Sequence, residues 1–305
     1  QLSNFLNQAG IINAAEKREN ISNIIYSPFP SKDKKLVRKV ATILEDNLDR
    51  IPKLHKKFGI AVDLGSVASL QGTNADLRIE IDKENRVILR INGSDRGIPV
   101  DETTLLKKIV TILNSALATS NEMNGTGLTN LVEGISQTFS PEFKPRKQNF
   151  SLRLGPCFGG YMITVPGGKF SSYQLKKLSL HVKGVAVTPW KSFFVDSTTK
   201  KPPLSFLSAN TDHDLSVGYC SGKPYCSQGI LNTSKVAKMV NAILKDTYKD
   251  KRSGANIHIS GCSKNCGLSK QTSILINSSK GEKSISTRDD KFRYLASKIS
   301  MELNK

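Results

Sequence analysis

The chain has 305 residues, of which 38% are hydrophobic, and a formal net charge of +19, which is typical of a globular protein large enough for two or three packed units. No run of about 18 apolar residues is present, and the first twenty residues lack the basic-then-apolar order of a signal peptide. These features argue against a membrane partner and predict a cytoplasmic protein, whose positive charge predicts an anionic partner.

The first part of the chain predicts one amphipathic helix and two strands. Apolar residues three and four apart in the segment 40–46 are typical of one helix face. The apolar stretch 58–63 and the segment 75–81 predict strands, and a glycine-containing loop separates them.

The middle of the chain predicts a compact βαβ unit. Residues 158–165 read as a strand and 166–169 as a turn, and Ser171 reads as the N-cap of a helix that reaches about residue 181. Residues 185–195 then predict a returning strand, interrupted at Pro189. Two segments rich in Ser, Thr, Pro and Lys are predicted linkers, 138–149 and 196–212.

The last part of the chain repeats the pattern of the first part. Residues 240–246 echo residues 40–46 at a shift of 200 residues, and predicted strands follow at 255–260 and 272–277. The order of helix, strand, loop and strand therefore occurs twice, which predicts a duplicated half rather than a short repeat.

Four of the five cysteines lie in two short loops, as Cys220 and Cys226 with C-x5-C spacing and as Cys262 and Cys266 with C-x3-C spacing. Cytosolic thiols stay reduced, so paired cysteines indicate metal or redox chemistry. Zinc sites usually have shorter spacing and often contain histidine. An all-thiolate set with wider spacing favours a [4Fe–4S] cluster, with zinc and no metal as the alternatives.

Other residues near the cysteines have simpler interpretations. Gly222, Gly261 and Gly267 are predicted to let the backbone bend close to inorganic sulfides. Cys157 is interpreted as a small buried hydrophobe. His258 alternates with isoleucines on a predicted strand, so it either points toward the site or is a hydrogen-bonded structural histidine, and the second interpretation is favoured.

Three stretches resemble motifs of the nitrite and sulfite reductase superfamily and, within it, of the precorrin-3B synthase family. They are Val187-Thr-Pro-Trp-Lys191, Cys220-Ser-Gly-Lys-Pro-Tyr-Cys226-Ser-Gln and His258-Ile-Ser-Gly-Cys-Ser-Lys-Asn-Cys266. The segment 57–65 with 75–78 is similar to a first-half motif of the same family. The sequence departs from the family at Lys191, where the family has Arg, at Asn265, where it has Gly, and at 267–269, where it has Ala-His-Pro.

The resemblance implies an α+β fold made of pseudo-duplicated nitrite/sulfite reductase-like halves with an intervening ferredoxin-like βαβ unit. The domains it implies are a first α+β half at 1–147, a ferredoxin-like unit at 148–205 and a [4Fe–4S]-binding half at 206–305. A further ferredoxin-like unit is expected before residue 1, so the sequence is predicted to be N-terminally truncated.

The resemblance also implies an oxidoreductase of cobalamin biosynthesis that hydroxylates precorrin-3A with O2 and closes a lactone to give precorrin-3B. Its implied metal centre is a [4Fe–4S] cluster held by the four paired cysteines, with sirohaem or a mononuclear iron as further cofactors. No Gly-x-Gly-x-x-Gly follows a predicted strand, so electrons from reduced nicotinamide are expected to arrive through an external donor protein. No catalytic residue is assigned.

The implied substrate is a tetrapyrrole with many carboxylates, which a basic protein can bind through ammonium and guanidinium groups. The predicted substrate-binding residues are Arg78, Arg153, Lys169, Lys191 and Lys264, and solvated surface charges are the alternative. Other functions left open are a sirohaem-dependent sulfite or nitrite reductase, an inactive fragment that binds a tetrapyrrole or cluster, and a zinc-stabilised nucleic-acid module. No nucleic-acid partner is predicted.

Overall fold

The structure is a computed structural model that describes residues 23–52, 58–119, 141–150, 154–164, 170–182, 184–190, 192–196, 216–249, 253–268, 272–279 and 282–304. The chain divides into two compact units, Gln1–Leu152 (unit 1) and Arg153–Lys305 (unit 2). Within the described ranges it forms five α-helices and three sheets, which is a mixed α+β fold as predicted. No helix in these ranges combines the length and the apolar composition needed to cross a bilayer.

Unit 1 contains a five-stranded sheet whose strands lie in chain order. The strands are β1 (Ile24–Tyr26), β2 (Ile60–Asp63), β3 (Leu77–Ile81), β4 (Val87–Ile91) and β5 (Ile98–Pro99). Strands β1 to β3 run parallel, and β4 and β5 continue the sheet antiparallel. Helix α1 (Lys34–Asp46) connects β1 to β2, and helix α2 (Leu105–Thr119) follows β5.

The predicted first helix is confirmed and begins at Lys34. The side chain of Asp33 accepts a hydrogen bond from the Leu36 N–H (2.9 Å) and caps the first turn. One helical turn apart, Val40 and Leu44 are buried in the apolar core of unit 1. The helix therefore forms where a cap and an apolar stripe coincide.

The predicted linker at 138–149 is wrong for its described part, because this segment packs along unit 1. Phe143 forms an antiparallel bridge with Gly97, and the Arg146 N–H donates to the Ile81 carbonyl (2.9 Å). The sequence is rich in residues typical of linkers, but its backbone groups find partners at the edge of the sheet. The other predicted linker, 196–212, lies outside the described residues apart from its first residue.

Unit 2 begins with a small antiparallel sheet of order β6-β7-β9-β8. Its strands are β6 (Gly155–Cys157), β7 (Gly160–Ile163), β8 (Val185–Val187) and β9 (Phe193–Asp196), and helix α3 (Ser172–Ser179) lies between β7 and β8 in the chain. Ser171 caps α3 as predicted, and it forms a complete capping box with Gln174.

One predicted strand of this sheet is shorter than expected, and the other is a hairpin. The segment 158–165 contributes only β7, because Phe158 and Gly159 adopt positive φ angles (47° and 77°) and reverse the chain after β6. The segment 185–195 reverses after Thr188, whose hydroxyl donates to the Ser192 carbonyl (2.8 Å). Strand β9 therefore pairs between β7 and β8, which makes a split βαβ arrangement. The predicted turn at 166–169 lies outside the described residues.

The second sheet of unit 2, here called the cysteine sheet, has four strands in chain order. They are β10 (Val217–Tyr219), β11 (Ile257–Ile259), β12 (Ile274–Ser279) and β13 (Glu282–Thr287). Strands β10 to β12 run parallel and β13 antiparallel. Helix α4 (Thr233–Tyr248) connects β10 to β11, and α5 (Arg293–Leu303) follows β13. The first four strands of unit 1 have this same order and direction.

Candidate functional site

Cys220 directly follows β10, at the carboxyl edge of the cysteine sheet. Its N–H donates to the carbonyl of Ile259 on the neighbouring parallel strand (3.0 Å), and its carbonyl accepts from the hydroxyl of Thr233 (2.7 Å). The Gly261 N–H donates to the Cys220 sulfur (3.1 Å). Because adjacent parallel strands end at the same edge, these contacts hold Cys220 beside the start of the loop that follows β11.

Cys226 lies in a tight turn of the first cysteine loop, residues 220–232. Its N–H donates to the Gly222 carbonyl (2.8 Å), and its carbonyl accepts from the Gly229 N–H (2.9 Å). The Lys223 N–H donates to the Leu231 carbonyl (3.0 Å), which closes the loop across its base. The backbone of the loop is thus hydrogen-bonded within itself, so the position of Cys226 is defined relative to Cys220.

Cys262 and Cys266 lie in the second cysteine loop, residues 260–268. The Ser260 hydroxyl donates to the Cys262 carbonyl (2.8 Å). Asn265 adopts a positive φ of 50°, and its side-chain oxygen accepts from the Asn277 amide on β12 (3.2 Å). A positive φ suits glycine best and asparagine next. The departure from the family's glycine at this position is therefore compatible with the same turn.

The two cysteine loops contact each other through their backbones. The Gly261 carbonyl accepts from the N–H groups of Ile230 (2.8 Å) and Leu231 (3.1 Å). A Cβ added to Gly261 would lie 3.0 Å from the Cα of Gly222, and one added to Gly229 would lie 2.9 Å from the Gly222 carbonyl carbon. These glycines allow the loops to approach, and the predicted contact of Gly222 and Gly261 with inorganic sulfides stays a prediction.

The four paired cysteines are free thiols, three of them half-buried and Cys266 exposed. Among the described residues, no three His, Cys, Asp or Glu side chains are grouped to hold one metal ion, so the thiols do not form the tetrahedral arrangement of a zinc site. A cube is larger than an ion and takes one thiolate at each iron. A cavity of about 600 Å³ lies against the first cysteine loop and is lined by Cys226 and Lys223. The choice between a cluster and a single ion stays a prediction.

His258 lies under the second cysteine loop. Its side chain is buried, and its Cε1 atom is 3.5 Å from the position that a Cβ on Gly267 would occupy. The ring therefore lies against Gly267, and both interpretations of His258 stay predictions. Gly267 has a φ of 80°, which glycine adopts without strain.

Arg78, a predicted substrate-binding residue, is buried on β3 in unit 1. Its guanidinium donates to the carbonyls of Leu70 (2.8 Å) and Thr73 (2.5 Å) and to the side-chain oxygen of Asn92 (3.1 Å). Burial lowers the pKa of this guanidinium. The contacts brace the loop between β2 and β3, and the side chain would have to leave them to reach a ligand. Its role in substrate binding stays a prediction.

The other predicted substrate-binding residues are only partly described. Lys264 is exposed in the second cysteine loop, between Cys262 and Cys266. Arg153, Lys169 and Lys191 lie outside the described residues. Cys157, interpreted as a buried hydrophobe, is half-buried, and its desolvation raises the pKa of the thiol.

The sequence interpretation missed a buried carboxylate at the corresponding edge of unit 1. Asp63 ends β2 and accepts from the N–H groups of Ser69 (2.8 Å) and Leu70 (2.7 Å) and from the Ser69 hydroxyl (3.3 Å). Burial raises the pKa of Asp63 in spite of these hydrogen bonds. An aspartate that ends an apolar strand before a Gly-Ser turn was the available signal.

Comparisons with known proteins identify the fold but no family. No protein-family model and no curated protein matches the sequence. The solved structure of the Mycobacterium tuberculosis NirA protein is similar, with a TM-score of 0.58 and 13% sequence identity over 87% of this chain. The match covers 60% of NirA, so the chain spans less than two thirds of the length of that protein. The likeness shows a shared fold.

Proposed function

We propose that the protein is an oxidoreductase in which Cys220, Cys226, Cys262 and Cys266 hold a [4Fe–4S] cluster beside a bound tetrapyrrole. The observation that carries the proposal is the hydrogen-bonded contact between the two cysteine loops at one edge of the sheet, through Gly261. The fold shared with NirA supports it, and so does the resemblance of the cysteine motifs to the nitrite and sulfite reductase superfamily.

The proposal includes a duplicated architecture. The unit 1 sheet and the cysteine sheet share strand order and direction, each with a helix between its first two strands. We propose that they are the two nitrite/sulfite reductase-like parts of pseudo-duplicated halves, with the small sheet as the ferredoxin-like unit of the second half.

The reaction we propose is the O2-dependent conversion of precorrin-3A to precorrin-3B. When bound, the cluster would supply single electrons, which a donor protein would bring from reduced nicotinamide. The chain itself would orient the macrocycle by pairing its carboxylates with basic side chains, of which the exposed Lys264 stands nearest to the cysteines in sequence. This finer assignment rests on the motif Val187-Thr-Pro-Trp-Lys191 and on the residues that flank the cysteines.

A sirohaem-dependent sulfite or nitrite reductase is the second candidate. The C-x5-C and C-x3-C spacing is intact, and it is shared by the whole superfamily, whereas Lys191 and the segment 267–269 depart from the precorrin pattern. A third candidate is an inactive fragment that keeps only the cluster or the tetrapyrrole.

Anaerobic purification followed by iron, zinc and acid-labile sulfide analysis tests the shared premise. We expect about four irons and four sulfides per chain. One zinc per chain without sulfide would contradict the cluster.

The absorption spectrum and a turnover assay then separate the candidates. A broad brown cluster spectrum with conversion of precorrin-3A under O2 supports the precorrin reaction. Sharp sirohaem bands with reduction of sulfite or nitrite support the second candidate. A loaded cluster without either activity supports the third.

A further inference from the structure

A second cavity, of about 230 Å³, lies in unit 1 at the carboxyl ends of β1 and β2. Ser27, which directly follows β1, and Leu64, which directly follows β2, are among the residues that line it. Ligands of open sheets with parallel strands bind at this edge, where loops rather than side chains of the strands form the walls. The cavity therefore occupies a position suited to binding, away from the cysteines in the chain.

One wall of this cavity is apolar. It includes Phe29, Val62 and Leu64, which are buried, and Val37 from α1, which is half-buried. A charged group would lose its hydration against such a wall without gaining a partner. The wall therefore suits the apolar body of a ligand.

The side of the cavity that α1 forms also carries positive charge. Lys34 and Arg38 line it from the first two turns of α1, where they stand one helical turn apart on the same face. Both side chains are exposed, and within the described part of the chain neither forms an ion pair. None of the described lining residues is acidic. The two cations favour an anionic group.

We propose that this cavity binds a small amphipathic anion, with a carboxylate or phosphate head between Lys34 and Arg38 and an apolar body against Val37 and Val62. The volume corresponds to about eight water molecules, which limits the ligand to a single ring or a short branched chain. Arg38 offers a two-pronged contact and Lys34 a movable point charge. The site does not depend on the proposed cluster.

Titration calorimetry with phenylacetate tests the proposal on the full chain. For a ligand of about ten non-hydrogen atoms we expect a dissociation constant on the order of 1 mM. The neutral isostere phenylacetamide should bind at least about tenfold more weakly, because the charge-assisted contacts are lost. Acetate should also bind more weakly, because it lacks the apolar body. Phenyl phosphate in a parallel titration shows which head is preferred.

Three variants locate the binding. Arg38→Gln should weaken phenylacetate roughly tenfold, whereas Lys35→Gln, which removes the same charge from an exposed residue that does not line the cavity, should leave it unchanged. Val37→Trp should fill the cavity and abolish binding. Equal binding of the amide and the acid, equal losses in the two charge variants, or full binding by a folded Val37→Trp variant would overturn the proposal.

Discussion

The carboxyl edge of the unit 1 sheet and that of the cysteine sheet have the same backbone and different chemistry. Ser27 follows β1 and donates its N–H to the Val62 carbonyl (2.8 Å), as Cys220 follows β10 and donates to the Ile259 carbonyl (3.0 Å). The register places Tyr26 opposite Val62 and Tyr219 opposite Ile259. Ser27 therefore corresponds to Cys220. Gly65 lies as far beyond Val62 in the chain as Cys262 lies beyond Ile259, so Gly65 corresponds to Cys262.

The correspondence extends to the other end of the strands. The N–H groups of Asp76 and Leu77 both donate to the Gly59 carbonyl (2.8 and 3.2 Å), and those of residues 273 and 274 both donate to the Asn256 carbonyl (2.7 and 3.2 Å). The sheet therefore fixes where the loops start, while the loop residues decide what they hold. In unit 2 the edge offers thiols, and in unit 1 it offers a cavity with two cations.

The substitution with the largest expected effect gives the edge of the cysteine sheet the same residue type that the unit 1 edge has. Cys220→Ser gives unit 2 the hydroxyl that unit 1 has at Ser27, and we expect the iron content to fall from about four per chain to less than one, because a hydroxyl is a poor ligand for a cluster. Iron and acid-labile sulfide analysis after anaerobic purification measures the change. Cys157→Ser is the matched control and should keep its iron. Full iron in Cys220→Ser would remove this cysteine from the proposed ligand set.

A second substitution tests the tight packing of the first cysteine loop around Gly222. Gly222 has a φ of 56°, and a Cβ there would lie 2.8 Å from the Leu231 carbonyl oxygen and overlap Thr233. Gly222→Ala should destabilise unit 2 by roughly 2–4 kcal/mol through left-handed strain and overpacking. Urea unfolding followed by the fluorescence of Trp190, the single tryptophan of the chain, measures unit 2.

Gly254→Ala separates the cost of left-handed backbone strain from the cost of overpacking. Gly254 also has a positive φ, of 66°, but a Cβ there would meet nothing within 4 Å. This variant should show the backbone strain alone, about 1–2 kcal/mol. Equal losses in the two variants would mean that the tight packing around Gly222 contributes nothing measurable.

Gly65, at the unit 1 edge, should contribute less to stability than Gly222. A Cβ on Gly65 would lie 2.5 Å from the Ser27 hydroxyl oxygen and 3.2 Å from the Phe29 carbonyl oxygen, and a hydroxyl can rotate away. Gly65→Ala should cost roughly 1–2 kcal/mol, and Ser27→Ala in the same chain should restore part of it. Far-UV circular dichroism follows the loss. The iron content and the Trp190 transition should not change, and a drop in iron would contradict the independence of the two edges.

The sequence predicted the elements whose signal is local. The apolar stripe through Val40 and Leu44 and the cap at Ser171 are visible in the sequence, and both are confirmed. Strand β1 was missed, because three residues form a strand only by pairing with β2, more than thirty residues away.

The role of Arg78 also could not be read locally. Asp76, Arg78 and Glu80 alternate with apolar residues, which is typical of a strand with one face in water. In the structure Arg78 and Glu80 are buried, and the Arg90 side chain on β4 pairs with Glu80 (2.7 Å). The buried charged side chains of β3 are possible because side chains on a neighbouring strand pair with them. A single sequence does not reveal which strands become neighbours.

The smallest expected effect concerns Asp63, the buried carboxylate at the unit 1 edge. Burial raises its pKa, so above the ordinary pKa of an aspartate the folded state binds more protons than the unfolded state. Stability should therefore fall as the pH rises through this window. Asp63→Asn can keep the acceptor for the Ser69 and Leu70 N–H groups and lacks the ionisation. Its stability relative to wild type should increase as the pH rises above the ordinary pKa of an aspartate, measured by urea unfolding with circular dichroism. If the difference in unfolding free energy between Asp63→Asn and wild type did not change with pH, Asp63 would not be the group that makes stability depend on pH. Asp63→Ala loses every hydrogen bond of the carboxylate and should be less stable than wild type at each pH.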